Sequence, residues 1–305
     1  MKNLFFYFFF SLFFLNCDSF FLNSIKNSGL YYNHNIKSIS SKLNYLKKPK
    51  YIINHNKNNI KLEYNNITDY FNDNTYLSNK KIINISPAGL RGFYEMGICI
   101  YIKENNNIDK LIFSGASAGA WNSLLMSYKG NIINFKNLLF DIDLDNIKSI
   151  YNLQLILKEK LLENFSSDEF DFKKIYIGVT VLENFKFKNY IFTDFKSLED
   201  AIDCIIASSN IPFITGKLFL SYKNKLCFDG GFSKDPYIHN PNKDILIHPD
   251  LYKNNIINYE GIPSIDNDLV DLFDYDYKYL IKLFEKGYND SIKYDSFLKK
   301  NIIDF

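Results

Sequence analysis

Two short motifs place residues by type and spacing to do chemistry: Gly115-Ala116-Ser117-Ala118-Gly119 and Asp229-Gly230-Gly231. A serine at the apex of a sharp strand-to-helix turn presents its hydroxyl as a nucleophile, with glycines where side chains would collide. An aspartate at a strand end beside two glycines can offer its carboxylate to a neighbouring loop as a general base. A third motif, Pro87-Ala88-Gly89-Leu90-Arg91-Gly92, lies upstream. Successive N–H groups in a turn that opens a helix form a cradle for negative charge. Beside a serine nucleophile that cradle is an oxyanion hole, in which one donor is worth about 3 kcal/mol in the transition state. The three motifs hold six of the thirteen glycines and the only arginine in a chain otherwise rich in Asn, Lys, Ile, Phe and Tyr. In so biased a chain glycine persists mainly where the backbone must turn sharply or approach something closely.

Each motif has a plainer reading. The bare G-x-S-x-G pattern is weak on its own. The upstream loop also reads as a phosphate or dinucleotide loop, but Pro87 replaces the first glycine and no acidic ribose partner closes a βαβ unit. Asp229 alone could be a β-turn aspartate. His239 and His248 follow Asp229, so the chain order of an α/β-hydrolase Ser-Asp-His triad is available. His239 lies in a Pro/Asn-rich loop and His248 precedes Pro249, contexts that favour surface or structural histidines. His34 and His55 fall ahead of the expected folded region.

The elements needed to position these motifs can be read from periodicity. Strands are expected over 81–86, 111–114, 175–182, 218–220, 225–228 and 245–248. Helices are expected over 93–103, from Ser117 through Met126, over 147–162, and over 197–207 with Ser197 as N-cap. A last helix is expected over 266–286, from apolar residues at helical spacing. Strands alternating with helices predict an α/β sandwich with a largely parallel sheet.

The net charge of +2 is too small to point to nucleic acid. Cys17, Cys99, Cys204 and Cys227 match no zinc spacing, and Cys99 and Cys204 sit in apolar helical patterns as small hydrophobes. The apolar run over 4–15 is too short to span a bilayer as a helix, and reads as a secretory signal peptide over 1–19. From Ser19 to Lys61 there are eight lysines and no acid, as in an organelle transit segment or a basic linker. The expected layout is a signal peptide at 1–19, a basic presequence or linker at 20–75, a catalytic domain at 76–250 and a C-terminal helical extension at 251–305. Entry into the secretory pathway is expected, with a plastid of secondary origin or an endomembrane or secreted location as the destination.

Taken together, and in this order, the glycine loop, the G-x-S-x-G elbow and Asp229-Gly230-Gly231 resemble the patatin-like phospholipase family. Further likeness comes from Gly92-Phe93-Tyr94 with Gly97, from residues 207–213 (ASSNIPF), and from residues 283–288 (LFEKGY). The resemblance covers about 82–290. It implies a three-layer α/β/α sandwich with Ser117 as nucleophile and Asp229 as its base, without histidine. Gly89, Leu90, Arg91 and Gly92 take the oxyanion-loop role, Gly115 and Gly119 shape the elbow, and Gly230 and Gly231 shape the aspartate turn. The implied substrate is a carboxylic ester of a phospholipid or neutral lipid, met by peripheral contact with a lipid surface, with neither metal nor cofactor. Pro87 departs from the family loop, since it has no N–H to donate. A triad esterase and an inactive lipid-binding protein of the same fold are the competing readings.

Overall fold

The computed structural model describes residues 51–57, 60–64, 74–78, 80–142, 147, 149–233, 235–238, 244–252 and 277–302. Its strands are β1 (Tyr51–His55), β2 (Ile60–Tyr64), β3 (Lys81–Ile85), β4 (Leu111–Gly115), β5 (Ile175–Glu183), β6 (Lys186–Thr193), β7 (Leu220–Tyr222), β8 (Lys225–Phe228) and β9 (Asp244–Ile247). Its α-helices are α1 (Thr75–Ser78), α2 (Gly92–Asn105), α3 (Ala118–Ser127), α4 (Ile132–Phe140), α5 (Ile150–Asn164), α6 (Leu198–Ser208), α7 (Tyr277–Lys293) and α8 (Asp295–Ile302). The strands form one mixed sheet in the order β2-β1-β6-β5-β4-β3-β9, flanked by helices, as an α/β sandwich requires.

The run β5-β4-β3-β9 is parallel, and every residue of β4 is buried. Burial on both faces is why β3 and β4 read as continuous apolar runs and not as alternating ones. On one face Ile83, Phe113, Ile177 and Val179 share a core with α2, α3, α6 and α7. On the other, Ile82, Ile112, Tyr176 and Ile191 pack with Leu77 of α1 and with Ile238.

β5 organises the site. Its antiparallel partner β6 occupies one edge. The other edge is shared: β4 pairs in parallel with its first half, ending at Gly115↔Ile177, and β8 pairs antiparallel with its second half, ending at Thr180↔Phe228. β4 and β8 therefore run toward each other along one edge of β5, and the residues that follow them meet beside Gly178.

Three expectations change. The sheet begins at Tyr51, not near residue 76, because β1 pairs in parallel with β6 from Ile52↔Tyr190 to His55↔Thr193. His55 is thus a strand residue rather than part of a linker. β6 was not anticipated. It joins β5 by a two-residue hairpin at Asn184 and Phe185, both at positive φ (53° and 58°). The final helix pair is α7 and α8: α7 continues to Lys293, past the expected end at 286, and the expected residues 266–276 lie outside the described residues. Residues 1–50 and 253–276 lie outside the described residues, and with them the proposed signal peptide, most of the basic segment, Cys17, His34 and the apolar positions Leu269, Leu272 and Phe273.

Candidate active site

Ser117 lies between β4 and α3 with φ 52° and ψ −123°. This region is strained for a residue with a Cβ and persists only where its surroundings hold it. Two hydrogen bonds do so: Ser117 N–H donates to Ser208 Oγ at 2.8 Å, and the Ser208 hydroxyl donates to Gly178 O at 2.7 Å. Ser208, at the end of α6, thus ties the apex of the turn to β5. Ser117 is 9% exposed.

Asp229 follows β8 and is 4% exposed. Its N–H donates to Asn210 O at 2.8 Å, and Asn210 Nδ2 donates to Cys227 O at 3.1 Å. Its Oδ1 accepts the Gly231 N–H at 2.7 Å. Gly230 must be glycine: a Cβ there would lie 2.3 Å from Gly178 O and 2.7 Å from Ala116 Cβ. That contact presses the aspartate turn against the serine turn. Burial raises the Asp229 carboxyl to about 6, against smaller downward pulls from the Ser117 hydroxyl and the Gly231 N–H. Oδ2 is buried and has no partner at full hydrogen-bond geometry, so the influence of Ser117 is a proximity effect in this state.

The glycine loop closes the third side. β3 lies beside β4, and Gly89–Arg91 forms one 3₁₀ turn before α2. Gly89 has φ 55°, which suits glycine. The start of α2 abuts the start of α3, since a Cβ on Gly92 would lie 2.5 Å from Ala118 Cβ. The turn sorts its amides. Arg91 N–H donates to Ala88 O at 3.1 Å, and Gly92 N–H donates to the carbonyls of Gly89 and Leu90. The amides of Gly89 and Leu90 make no such bond among the described residues. Of the four residues assigned to the loop, Gly89 and Leu90 therefore have N–H groups that the turn does not engage, while those of Arg91 and Gly92 serve the turn. Pro87 packs at the aspartate turn, 3.0 Å from where a Cβ on Gly231 would sit.

Ser117, Asp229, Pro87, Gly89, Leu90 and Gly92 line one cavity of about 180 Å³. Its walls are apolar: Phe93 and Met96 of α2, Trp121 of α3, Phe135 of α4, Leu157 of α5 and Leu280 of α7. The Arg91 side chain is not part of the lining. Of the two histidines, His248 accepts the Asp250 N–H at 3.0 Å and does not line the cavity, and His239 lies outside the described residues.

Sequence reasoning missed the supports. Ser208 and Asn210 belong to the ASSN segment, but nothing in the segment marks which hydroxyl reaches the turn. Glu95 is fully buried in α2, where it accepts a hydrogen bond from Ser86, and burial pushes its carboxyl well up. Asn122 Nδ2 donates to Gly92 O at 3.0 Å. An acid inside an apolar helix was the available signal for Glu95.

A family model described as patatin-like phospholipase matches residues 85–240, which run from the end of β3 past the aspartate turn. The chain belongs to the patatin-like phospholipase family. It is 20% identical over 179 residues to 1-acylglycerol-3-phosphate O-acyltransferase Pnpla3 of Mus musculus, a match covering 55% of this chain and 43% of that protein. The chain thus spans less than half the length of that relative. Among solved structures, the crystal structure of VipD from Legionella pneumophila aligns with 70% of this chain and 55% of its own, at 12% identity and a TM-score of 0.35.

Proposed function

We propose that this patatin-like chain hydrolyses a carboxylic ester of a lipid with a Ser117–Asp229 dyad. The observation that carries the reading is the convergence of Ser117, Asp229 and the unengaged amides of Gly89 and Leu90 on one apolar cavity. An acyl chain fits such walls, because its burial is favourable and makes no polar demand. Ser117 Oγ attacks the ester carbonyl carbon and its proton passes to Asp229. The carbonyl oxygen becomes the tetrahedral oxyanion and is met by the Gly89 and Leu90 amides, aided by the N-terminal end of α2. Collapse breaks the bond to the leaving alcohol, which takes the proton from Asp229 and leaves an acyl-serine. Water, deprotonated by Asp229, repeats the addition and releases the acid. We also propose that a signal peptide over residues 1–19 directs the enzyme into the secretory pathway.

The test is a panel of phospholipids, neutral glycerolipids and a soluble short-chain ester, with free acid and acyl-transfer products both measured. Ser117→Ala and Asp229→Asn should each abolish release of acid, and the double variant should be no worse than either, since the two groups act as a unit. His248→Gln should change the rate by less than about tenfold, whereas loss of a triad histidine costs several orders of magnitude. Substantial activity in Asp229→Asn, or collapse in His248→Gln, would remove the dyad. Transfer of the acyl group to a lysophospholipid would draw on the same acyl-serine, and the name of the mouse relative makes that acceptor worth including.

A further inference from the structure

Residues 211–219 (IPFITGKLF) link the Asn210 that supports Asp229 to β7. The segment is tightly held. The N–H groups of Ile214 and Thr215 donate to Ile211 O at 3.1 and 3.0 Å, and the Ile211 N–H donates to Thr215 Oγ1 at 2.8 Å. From α5, Gln154 Nε2 donates to Thr215 O at 3.1 Å, and the Lys217 ammonium lies over the Tyr151 ring, 5.6 Å from its centroid. Ile211 and Thr215 face inward and line the Ser117 cavity. Three others do the opposite: Phe213, Ile214 and Phe219 are 59%, 47% and 55% exposed. Phe213 is also held at φ 67°, a strained setting for a bulky residue. A loop that holds three large apolar side chains about half exposed, one of them at a strained φ, leaves apolar surface that folding has not buried.

We propose that residues 211–219 are the surface by which the enzyme docks on a lipid aggregate. Phe213, Ile214 and Phe219 enter the interfacial layer and exposed Lys217 meets anionic headgroups. The proposal rests on the lipid-ester reading of the cavity. The occupant follows from continuity, because one loop is wall on one side and exposed apolar surface on the other. An acyl chain bound for such a cavity is scarcely present free in water, so the face beside it must meet the phase that holds it. Lys217 supplies the complementary charge.

Binding is measured by vesicle flotation of the full chain carrying Ser117→Ala, so that vesicles are not consumed. Vesicles are phosphatidylcholine with or without phosphatidylglycerol. Phe213→Ser with Phe219→Ser should weaken binding to both at least tenfold or so, as expected for removing two large apolar anchors. Lys217→Glu should weaken binding only where phosphatidylglycerol is present. With Ser117 intact, the two Phe→Ser substitutions should leave hydrolysis of a soluble short-chain ester and the thermal midpoint unchanged. As a second measurement, Phe213→Trp should add an emission component that shifts to the blue on addition of vesicles, beyond any change of Trp121 in the parent chain. Unaltered vesicle binding by the Phe213→Ser, Phe219→Ser variant, or unshifted emission of the added tryptophan, overturns the proposal. So does a concentration-dependent dimer that the double Phe→Ser variant abolishes, since the surface would then belong to a second copy. If loop-dependent vesicle binding is found but the intact protein cleaves no ester, the docking surface stands and the hydrolase reading fails.

Discussion

Burial and hydrogen bonding act in opposite directions on the Asp229 carboxyl, and burial wins, bringing it to about 6 from an ordinary value of 3.8. A base must be ionised to take a proton, so kcat/KM for a soluble ester should climb as pH rises through about 6 and level off above. A rate that is flat across that range would mean another group is the base. The same shift carries a stability cost. Between about pH 4 and 6 the folded state holds this proton more tightly than the unfolded chain, so stability falls as pH rises through that window. The full gap corresponds to about 3 kcal/mol above pH 6. Asp229→Asn should therefore stabilise the fold by up to that amount at about pH 8 and by little at about pH 4, as read by urea unfolding. An equal difference at both pH values would show that the carboxyl is not strained by its burial. Ser117 and Asp229 were legible because their glycines leave a pattern in sequence. Ser208 was not, because its hydroxyl finds the Ser117 amide across 91 positions of chain, a distance that no local pattern records.

At the scale of elements, legibility followed the turn chemistry. The central strands and α6 announced themselves by apolar runs and by the Ser197 cap, whose side chain accepts the Asp200 N–H at 3.1 Å. β6 did not, since hairpins are usually betrayed by Asn-Gly or Asp-Gly. Here the turn residues are Asn184 and Phe185, and between β7 and β8 they are Lys223 and Asn224, all at positive φ without glycine. The LFEKGY segment was legible, and its glycine has a defined task. α2 and α7 cross so closely that a Cβ on Gly97 would lie 2.2 Å from Phe284 O, and one on Gly287 would lie 2.0 Å from Tyr94 O. The clashing atoms are backbone, so no rotamer change relieves them. Gly287→Ala and Gly97→Ala should each destabilise by about 1–3 kcal/mol, the range for overpacking. The double variant should cost less than the sum, because helices already forced apart by the first methyl make room for the second. Strict additivity in urea unfolding would place the two glycines in independent contacts. Leu280 lines the cavity from α7, so the same variants should also slow ester hydrolysis.

For the whole molecule, the decisive question is where the domain starts. An Asn/Lys-rich, acid-poor stretch argued for excluding everything before residue 76, and composition hid two strands within it. Ile52 and Ile53 are fully buried, one in each of the cores on the two faces of the sheet. Asn56 Nδ2 donates to Tyr222 OH at 2.6 Å, fastening the end of β1 to β7. The targeting role proposed for the N-terminal segment then has residues 1–50 to itself. A chain of residues 51–305 should fold, melt cooperatively and keep ester hydrolysis. A chain of residues 76–305 should not, because it leaves β6 as a bare sheet edge and uncovers apolar surface on both faces. Losing two buried isoleucines alone is on the order of 4–10 kcal/mol, comparable to the entire stability of a typical domain. Thermal melts and hydrolysis of the two chains, purified in parallel, decide the matter. If residues 76–305 melt at the same temperature as residues 51–305, β1 and β2 are accessories, and the fold is complete without them.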